Sequence, residues 1–376
     1  MKFTVSTSTL IKQLQIVSGV ISNNTVIPIL QDFLFDLSGD QLTISASDLE
    51  TSLSSSVEVN MEREGRVAIP SKILIDIVKM LAEQPITIDV EEHTLAVTIE
   101  TKNGVYKLAA ESAEEFPPRQ VAEGNDNINL SLEVMTTAIN KTLFAASNDE
   151  LRPQMTGIHF DLEESKITFV ATDAHKLVKF SHEIDTGHGN KSFIVPKKAM
   201  NLLKNALGNA ENGAEAQVNI GWNEKNVFFA FDGIKLDSRL IVGTYPDYNT
   251  VIPSNNPHLL TLDQEDFQNA IKRISIFSSK STYQVILDIQ DEQVKLSAQD
   301  IDFANEAYET MPCEYEGEKM QIAFNARYLL ELLNSVGTSQ VHLKLSHPSR
   351  ACLVVPANDE SSGELVMLVM PLMINT

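Results

Sequence analysis

The chain has 376 residues, of which 43% are hydrophobic, and this composition excludes a disordered polypeptide. No apolar run reaches the eighteen or so residues that span a bilayer, and Met1 leads into a predicted strand without a signal peptide. The net charge of −22 argues against unguided binding to nucleic acid, because phosphate contacts require Lys and Arg. We therefore predict a cytoplasmic globular protein of two or three domains.

The first third of the chain predicts the order strand, helix and three strands twice in succession. The first helix, about Ser8 to Val20, carries its apolar residues on one stripe. Pro70 begins the second helix, Ser71 to Ala82, because proline fits the first helical turn. The predicted strands are Lys2 to Val5, Ile29 to Leu37, Gln41 to Ala46, Leu53 to Met61, Arg66 to Ile69, Ile86 to Val90, Thr94 to Glu100 and Gly104 to Ala109.

The remaining two thirds predict the same elements again. The helices are Leu132 to Ala146, Lys197 to Leu207, Gln264 to Ser278 and Ala326 to Val336. The strands run through Gly157 to Phe180, Gln217 to Gly221, Asn226 to Phe231, Ile234 to Leu240, Gln284 to Ile289, Gln293 to Ala298, Ala304 to Thr310, Val341 to Leu345, Ala351 to Val355 and Leu365 to Met370. Two helices per repeat among many antiparallel strands indicate the α+β class, with sheets on one side and helices on the other.

A short sequence containing an aspartate occurs three times, each time at the end of a predicted strand of alternating apolar and polar residues. Asp48, Asp173 and Asp300 lie 173 − 48 = 125 and 300 − 173 = 127 positions apart. About twenty residues later a second phrase opens a helix, and in the first repeat it is Val67-Ala68-Ile69-Pro70-Ser71-Lys72. Two unrelated signals at one long period indicate three copies of one domain.

Domain boundaries are predicted where turn-forming residues and charges cluster. Glu114-Glu115-Phe116-Pro117-Pro118 and Tyr245-Pro246-Asp247-Tyr248 occupy the same place at the ends of the first two repeats. Linkers near Glu123 to Asn127 and Pro253 to Pro257 follow them. The predicted domains are residues 1–126, 127–254 and 255–376.

No motif for metal or nucleotide chemistry accompanies the repeats. The sequence has no CxxC, no HExxH and no glycine-rich phosphate loop, so we predict no metal and no cofactor. Cys313 and Cys352 lie in apolar strand contexts and are predicted to be buried, reduced thiols. An enzyme would have to use Asp173 and His175, since an aspartate can orient a histidine base. The other two phrases lack this histidine, so we predict turn-capping aspartates and no catalysis.

Positive charge is concentrated in the six predicted helices. Acidic side chains there fall mostly in first turns, where the helix dipole favours them, and the rest of the chain carries nearly all the remaining acid. A positive helix layer favours a polyanion held by sequence-independent phosphate contacts. For any single helix, ordinary amphipathic packing with solvated lysines stays open as an alternative. The basic residues are Lys12, Lys72, Lys79, Lys141, Lys197, Lys198, Lys204, Lys272, Arg273, Lys280 and Arg327.

Several phrases match a known family along essentially the whole chain. They are Met1-Lys2-Phe3-Thr4-Val5, Val17-Ser18-Gly19, Pro28-Ile29-Leu30, Asp48-Leu49-Glu50, Phe116-Pro117, Ala171-Thr172-Asp173-Ala174-His175-Lys176-Leu177, Pro246-Asp247-Tyr248 and Val369-Met370-Pro371-Leu372. With these phrases and its threefold repeat, the chain resembles the bacterial DNA polymerase III beta subunits, which are processivity sliding clamps. The resemblance implies a head-to-tail homodimer that closes a six-domain ring around duplex DNA, with helices lining the hole and sheets outside.

The implied ring accounts for the charge pattern. A closed ring stays on DNA by topology, so it needs only weak, non-specific phosphate contacts that permit sliding. The resemblance implies as partners duplex DNA, the DNA polymerase III alpha subunit, the clamp-loader delta subunit, other proteins with clamp-binding motifs and a second copy of the chain. The residues expected to face DNA are Lys12, Asn24, Lys72, Lys79, Lys141, Arg152, Lys197, Lys198, Lys204, Lys272 and Arg273.

The resemblance also implies a groove for partner peptides between the second and third domains. A surface rich in Met and Leu can adapt to several ligands. For Val366 and Leu368, a buried last strand stays open as the alternative. The implied lining residues are Met155, Thr172, Ala174, His175, Lys176, Leu177, Pro246, Val251, Val369, Met370, Pro371, Leu372 and Met373.

Head-to-tail closure in the family joins domain one of one subunit to domain three of the other. The resemblance implies that Tyr106 and Leu108, on a closing strand, meet Ile276 and Phe277 at a helix end. An ordinary core position is the open alternative for Leu108.

The chain departs from the family pattern at three places. Ala174 stands where the family commonly has glycine, and Asn24 occupies a loop position that is basic in some members. Pro153 and Gln154 follow Arg152, where some members carry aromatic residues that touch DNA or gate the groove.

A repeat-built module that binds protein or carbohydrate without DNA is the alternative function. It would display exposed aromatic platforms, yet Trp222 is the only tryptophan in the chain. We therefore predict a sliding clamp that tethers the replicative polymerase and other replication and repair proteins for processive DNA synthesis.

Overall fold

The computed structural model describes residues 1–22, 26–118, 126–210, 216–357 and 363–374. These residues form six α-helices and twenty-six strands, and every strand pair is antiparallel. They divide into two compact units, Met1–Thr136 with Lys198–Leu240 and Thr137–Lys197 with Ile241–Thr376. The predicted α+β class is confirmed.

The helices and strands follow the predicted order in each repeat. The helices are α1 (Thr7–Ser18), α2 (Ser71–Met80), α3 (Leu132–Thr142), α4 (Lys197–Leu207), α5 (Gln264–Ser275) and α6 (Ala326–Val336). The strands of the first repeat are β1 (Lys2–Ser6), β2 (Asp32–Ser38), β3 (Gln41–Ser47), β4 (Thr51–Glu58), β5 (Asn60–Arg63), β6 (Gly65–Pro70), β7 (Pro85–Val90), β8 (Ala96–Glu100) and β9 (Val105–Ala109).

The strands of the other two repeats complete the set. Those of the second are β10 (Asp126–Ser131), β11 (Gly157–Glu163), β12 (Lys166–Thr172), β13 (Lys176–Glu183), β14 (Lys191–Pro196), β15 (Gln217–Trp222), β16 (Asn226–Phe231) and β17 (Ile234–Arg239). Those of the third are β18 (His258–Asp263), β19 (Gln284–Ile289), β20 (Gln293–Asp300), β21 (Asn305–Pro312), β22 (Glu314–Glu316), β23 (Met320–Asn325), β24 (Gln340–Leu345), β25 (Cys352–Pro356) and β26 (Glu364–Val369).

The first unit contains a five-stranded and an eight-stranded sheet. Their orders are β5-β1-β7-β8-β9 and β10-β15-β16-β17-β4-β3-β2-β6. Helix α1 packs against α2, β3 and β4. Phe3, Phe33 and Phe35 are wholly buried in its core. Because β4 pairs with β17, the larger sheet continues from the first repeat into the second.

The second unit contains a nine-stranded and a four-stranded sheet. Their orders are β14-β11-β12-β13-β26-β25-β24-β18-β22 and β21-β20-β19-β23. Helix α5 packs against α6 and β20, as α1 packs in the first unit. The larger sheet continues from the second repeat into the third, because β13 pairs with β26. The predicted domain boundaries stay a prediction, because the two compact units follow these continuous sheets.

Local capping explains where several helices begin and end. The Ser6 hydroxyl accepts a hydrogen bond from the Thr9 backbone N–H at 3.1 Å and begins α1. Asn325 does the same for α6, which ends before Gly337 in a left-handed conformation. The predicted bounds of α4 and α6 are confirmed without change.

Several predicted boundaries were wrong, and four of them change how an element is described. The strand predicted from Ile29 begins only at Asp32, because Pro28 opens a single 3-10 turn before it. The strand predicted as Leu53 to Met61 is two strands, β4 and β5, which belong to different sheets. Helix α3 ends at Thr142 and a 3-10 turn replaces its predicted last turn. Strand β10 begins within the linker predicted near Glu123 to Asn127.

Candidate functional site

The repeated aspartate caps a tight turn in all three repeats, as predicted. Oδ1 of Asp48 accepts hydrogen bonds from the backbone N–H groups two and three residues later, at 3.0 and 2.6 Å. Asp173 makes the same two bonds, both at 2.9 Å. Asp300 accepts from the N–H two residues later at 3.2 Å. The aspartate phrase therefore forms a turn that reverses the direction of the chain between two strands.

The residue after the aspartate has a left-handed backbone in the first two repeats. Its φ is 77° at Leu49 and 74° at Ala174. A residue with a Cβ pays about 1 kcal/mol for this conformation, and glycine avoids most of that cost. This is the physical reason that a glycine suits the position where this chain has Ala174.

Exposure divides the predicted groove residues, all of which lie in the second unit. The side chains of Met370 and Met373 are 40% and 82% exposed, whereas Leu368 is buried and Val366 half-buried within β26. The second half of the last strand is therefore buried, and the chain becomes exposed at Met370. The exposed or half-buried members are Ala174, His175, Pro246, Val251, Met370, Pro371, Leu372 and Met373, and the buried members are Met155, Thr172, Lys176, Leu177 and Val369.

A surface cavity of about 490 Å³ opens beside two of these residues, Val251 and Met370. Its wall mixes apolar side chains with amides, hydroxyls and one guanidinium. Such a mixture suits an apolar anchor flanked by peptide groups that need hydrogen bonds. The lining residues missing from the prediction are Thr250, Pro253, Ser254, Asn255, Asn256, Ser349, Arg350 and Ala351.

Only folding brings the two sides of this cavity together. The Asn256 side-chain amide donates hydrogen bonds to the backbone carbonyls of Lys344 and Ala351, at 2.8 and 3.0 Å. These bonds tie the segment after β17 to the end of β24 and to the residue just before β25, which lie about ninety positions later. The predicted linker near Pro253 to Pro257 was the one local signal for this wall.

A buried hydrophobic cluster in the second unit includes two of the predicted groove residues or their strand neighbours. Leu177, Tyr245, Tyr248 and Leu368 belong to it, and Ala351 joins it to the cavity wall. The ring of His159 stacks on Tyr245 with centroids 4.5 Å apart. Burial lowers the pKa of His159, so its ring is neutral at pH 7 and packs as an aromatic.

Lys176 is a buried cation with two carboxylate partners, and its place in the groove stays a prediction. It is 5% exposed, and its ammonium lies 2.5 Å from Asp173 Oδ2 and 3.0 Å from Glu331 Oε2. Burial lowers the pKa of Lys176, but hydrogen bonds and charge from the two carboxylates outweigh it and raise that pKa. The ammonium also lies 4.8 Å from the centre of the Tyr328 ring, on which His175 stacks at 5.4 Å. Tyr328 was missed because it lies on α6, far along the chain.

Four of the predicted DNA-facing lysines are exposed on helices. Within the described part of the chain, none of the four forms an ion pair. They are Lys12 on α1, Lys72 and Lys79 on α2, and Lys204 on α4.

The other predicted DNA-facing cations have partners in the protein. Lys198 forms an ion pair with Asp48, and Arg273 forms one with Glu309. Lys197 donates to the Ala146 carbonyl at 3.0 Å, and burial lowers the pKa of its ammonium. The remaining contacts are Lys141 with the Ser335 carbonyl, Arg152 with Asp149 and Lys272 with Gln268. Asn24 lies outside the described residues, and the DNA-facing role of the whole set stays a prediction.

The predicted dimer residues lie on exposed edges of the two units. Tyr106 is 38% exposed and Leu108 half-buried on β9, which pairs with β8 at the edge of its sheet among the described residues. Ile276 and Phe277 follow α5 and are 67% and 39% exposed. None of the four is a fully buried core residue, and their contact with a second chain stays a prediction.

The described residues show neither a cluster of three His, Cys, Asp or Glu side chains that could hold a metal ion nor a helix long and apolar enough to cross a membrane. Both cysteines are free thiols, and burial raises the pKa of each. Cys352 is buried as predicted, whereas Cys313 is only half-buried.

Three family models match consecutive parts of the chain. The N-terminal domain of the DNA polymerase III beta subunit matches residues 1–120, the central domain matches 129–247 and the C-terminal domain matches 249–371. The chain belongs to the DNA polymerase III beta subunit family. It therefore contains three clamp domains.

Relatives of this beta subunit family match from end to end. The beta sliding clamp of Haemophilus influenzae is 31% identical over 372 residues, which cover 98% of this chain and 99% of that protein. The crystal structure of DNA polymerase III subunit beta from Pseudomonas aeruginosa superposes with a TM-score of 0.92 at 27% identity. The crystal structure of a sliding clamp from Bartonella birtlesii bound to griselimycin superposes with a TM-score of 0.93 at 28% identity. Both comparisons cover 100% of each chain.

Proposed function

We propose that this protein is a DNA sliding clamp, a homodimeric ring that encircles duplex DNA and tethers the replicative polymerase. The observation that carries the proposal is the full-length likeness to beta sliding clamps in both sequence and fold. The proposed role is non-catalytic and belongs in the cytoplasm. Its proposed partners include the polymerase alpha subunit, the clamp-loader delta subunit and other proteins with clamp-binding motifs.

A pattern of strand pairing that occurs twice within the chain supports head-to-tail closure of the ring. The strand after the aspartate turn of one repeat pairs with the last strand of the next repeat. This joins β4 to β17 in the first unit and β13 to β26 in the second. The third repeat has the corresponding strand, β21, at the edge of its sheet, and the first repeat has its last strand, β9, at another edge. Applied once more, the same pattern pairs β21 of one copy with β9 of a second.

The exposed side chains at these two edges fit such a joint. Val105 and Tyr106 on β9 are 59% and 38% exposed, and Tyr308 on β21 is 68% exposed. Long edge strands with exposed apolar residues invite pairing with another chain. Ile276 and Phe277 add apolar surface at the end of α5, as the predicted interface requires.

The charges support loose contact with DNA. The chain has a net charge of −22, so only the helix cations that have no carboxylate partner in the protein can contact DNA phosphates. Lys12, Lys72, Lys79 and Lys204 are exposed, whereas Lys198 and Arg273 have carboxylate partners. A small set of phosphate contacts favours sliding over tight binding. The only tryptophan, Trp222, is 6% exposed and offers no platform for a sugar.

We expect the protein, once loaded by a clamp loader, to remain on closed circular DNA and to leave linear DNA of the same length. Topological linkage does not depend on phosphate contacts, so retention on the circle should persist at a salt concentration that removes direct binding. Gel filtration of loaded DNA before and after cutting with a restriction enzyme measures both states. Equal escape from the circle and the cut form would refute topological linkage.

We infer that the cavity beside Val251 and Met370 binds the apolar anchor of a partner peptide. Both side chains are partly exposed, at 53% and 40%, and the buried cluster around Tyr245 includes Ala351 of the cavity wall. Burying one Leu or Phe of a linear peptide there contributes about 2 kcal/mol. The polar wall residues are placed to bind the peptide backbone on either side of the anchor.

The double variant Val251→Ser with Met370→Ser is expected to bind a clamp-binding-motif peptide about 30-fold more weakly. Each substitution removes about 1 kcal/mol of apolar contact with the anchor. Titration of a fluorescent peptide measures the dissociation constant, and sedimentation checks that the dimer is intact. Met80→Ser is the matched control, since Met80 is 88% exposed on α2. Unchanged peptide affinity in the double variant would contradict the assignment of this cavity as the binding site of the peptide anchor.

A further inference from the structure

Two cations surround one tyrosine in the second unit, and none of the three belongs to the predicted DNA-facing set. The Arg327 guanidinium stacks on the Tyr283 ring, with its central carbon 3.4 Å from the ring centre. The Lys280 ammonium lies 5.8 Å from the same centre. Both cations are exposed, and neither forms an ion pair within the described part of the chain. These three residues, the Tyr283 cluster, therefore present two uncompensated positive charges to solvent.

Hydrogen bonds fix the tyrosine at the centre of this cluster. Tyr283 has a left-handed backbone, with a φ of 50°, which a residue with a bulky side chain rarely adopts. Its N–H donates to the Ser279 carbonyl and its carbonyl accepts from the Ala326 N–H, both at 2.8 Å. The Asn325 side-chain amide also donates to the Thr282 carbonyl at 2.9 Å. These bonds hold the loop after α5 against the beginning of α6, so the ring is in place before a ligand binds.

Stacking on the ring orients the guanidinium for an anion. A guanidinium that lies flat on an aromatic ring keeps its N–H donors around its edge. That edge matches two oxygens of a phosphate group, which arginine binds bidentately. The Lys280 ammonium adds a second charge with rotatable donors. The two cations together suit a phosphodiester backbone, because it carries one negative charge per nucleotide.

The two chain segments that form the cluster contain no acidic residue. Residues 267–287 and 319–330 have neither Asp nor Glu, although the chain has 51 acidic residues against 29 Lys and Arg. Glu331 lies one turn beyond Arg327 on α6, but its carboxylate is 3.0 Å from the ammonium of Lys176. The charge of the cluster is therefore available to a ligand.

The loop after the first helix differs in charge among the three repeats. Residues 19–31 carry no charged side chain. In residues 143–156 the one cation is Arg152, which pairs with Asp149 at 2.9 Å. In residues 276–283 the one charged residue is Lys280. The third loop therefore supplies an unpaired cation that the other two loops lack.

Arg327 is equivalent to two lysines of the predicted DNA-facing set. In each repeat, the residue two positions earlier pairs with the first residue of the strand that follows the first helix, which aligns the three second helices. The equivalent residues are Lys72 on α2 and Lys198 on α4. Lys198 forms an ion pair with Asp48, whereas Arg327 stacks on an aromatic ring that leaves its charge uncompensated.

We propose that the Tyr283 cluster binds the phosphate backbone of duplex DNA, with Arg327 as a bidentate ligand, Lys280 as a second charge and Tyr283 as the residue that positions the guanidinium. The inference rests on the proposed sliding clamp, and it places phosphate contacts in the third repeat. Duplex DNA is the occupant because the cluster matches phosphate in charge and geometry and because its helix position is equivalent to Lys72 and Lys198. Such contacts read no bases and are compatible with sliding.

The test uses the full chain with Lys280→Gln and Arg327→Gln together, and a short linear DNA duplex at low salt. Loss of two phosphate contacts is expected to reduce the slope of log binding constant against log salt concentration by about 1.8 and to weaken binding about tenfold. Fluorescence anisotropy of the labelled duplex measures both quantities. The matched control is Lys319→Gln with Lys344→Gln, which removes the same charge from exposed residues outside the helices of the third repeat. The control should keep the slope of the unmodified protein.

Replacement of the ring tests the positioning role. Tyr283→Leu keeps both cations but releases the guanidinium, so we expect binding to weaken about threefold. Tyr283→Phe keeps the ring and should bind DNA as the unmodified protein does. Equal binding by the leucine and phenylalanine variants would contradict the positioning role.

Two results would overturn the phosphate contact itself. One is an unchanged salt slope in the Lys280→Gln, Arg327→Gln variant, or an equal reduction in the control. The other is a variant that keeps its DNA binding but loses affinity for a clamp-binding-motif peptide, since the cations would then serve a partner protein. Retention on circular DNA depends on topology, so the variant should stay on the circle. Escape of the unmodified protein from the circle would refute the sliding clamp, while binding to the linear duplex would still decide the phosphate contact.

Discussion

Replacing Lys107 with proline is expected to weaken the dimer about 100-fold and to release the protein from circular DNA. The Thr101 N–H donates to the Gly104 carbonyl at 2.9 Å, which marks a hydrogen-bonded pair at the start of the β8–β9 hairpin. Bonded and non-bonded pairs alternate in an antiparallel ladder, so the Lys107 N–H points away from β8. Proline there removes a donor from the free edge and leaves the hairpin bonds intact.

The size of this effect follows from the number of joints. At each of the two interfaces of a closed dimer, the variant loses a ladder hydrogen bond and gains a steric clash. This weakens association by about 1.4 kcal/mol per interface, so the two interfaces together raise the dimer dissociation constant about 100-fold. Lys107→Thr is the control, because it keeps the N–H and removes the charge. Sedimentation and retention on circular DNA are the measurements. If the proline and threonine variants dimerise equally well, β9 does not pair with β21.

Replacing Asp32 with asparagine is expected to stabilise the first unit at pH 7.5 by about 1 to 2 kcal/mol. Asp32 is 5% exposed, and its Oδ2 has no hydrogen-bond partner among the described residues. Burial, and then the charge of Glu111, raises the pKa of this carboxyl from 3.8 to about 6. A pKa shift from 3.8 to about 6 corresponds to about 3 kcal/mol of destabilisation of the folded state. Residual solvation of the carboxyl makes the actual destabilisation smaller.

The pH dependence identifies the cause. Because the folded pKa lies above the unfolded one, the penalty is absent below pH 3.8, grows as the pH rises, and is complete above about 6. Urea unfolding should therefore separate the variant from the unmodified protein at pH 7.5 and bring them together at pH 4. Asp36→Asn is the control, since Asp36 is half-exposed beside Arg66. An Asp32→Asn gain that persists unchanged at pH 4 would rule out the ionised carboxylate as its source.

Elements with strong local signals were predictable from the sequence. Helices α4 and α6 begin and end as predicted, because an apolar stripe follows a proline or asparagine and α6 stops at a glycine. The aspartate turns were equally predictable, since an aspartate caps its own turn within three residues. Boundaries failed where a turn former lay inside an apolar run, as at Pro28.

The candidate groove was predictable only in part. The resemblance supplied Val251 and Met370, which lie at the cavity. It did not supply Tyr328, Arg350 or Asn256, whose positions depend on strand pairing over long separations. The sequence also could not show that Lys176 is buried, because its two carboxylate partners come from a turn and from a distant helix.

The sequence by itself determined the threefold repeat, the α+β class and the basic helices, because these follow from spacing, periodicity and local charge. Tertiary structure alone decided which cations stay available and which are neutralised, since Asp48 reaches Lys198 only after β4 pairs with β17. It also decided that β9 and β21 are left as edges. Strand pairing is a long-range property of the backbone, and no local pattern of side chains specifies which edges remain free.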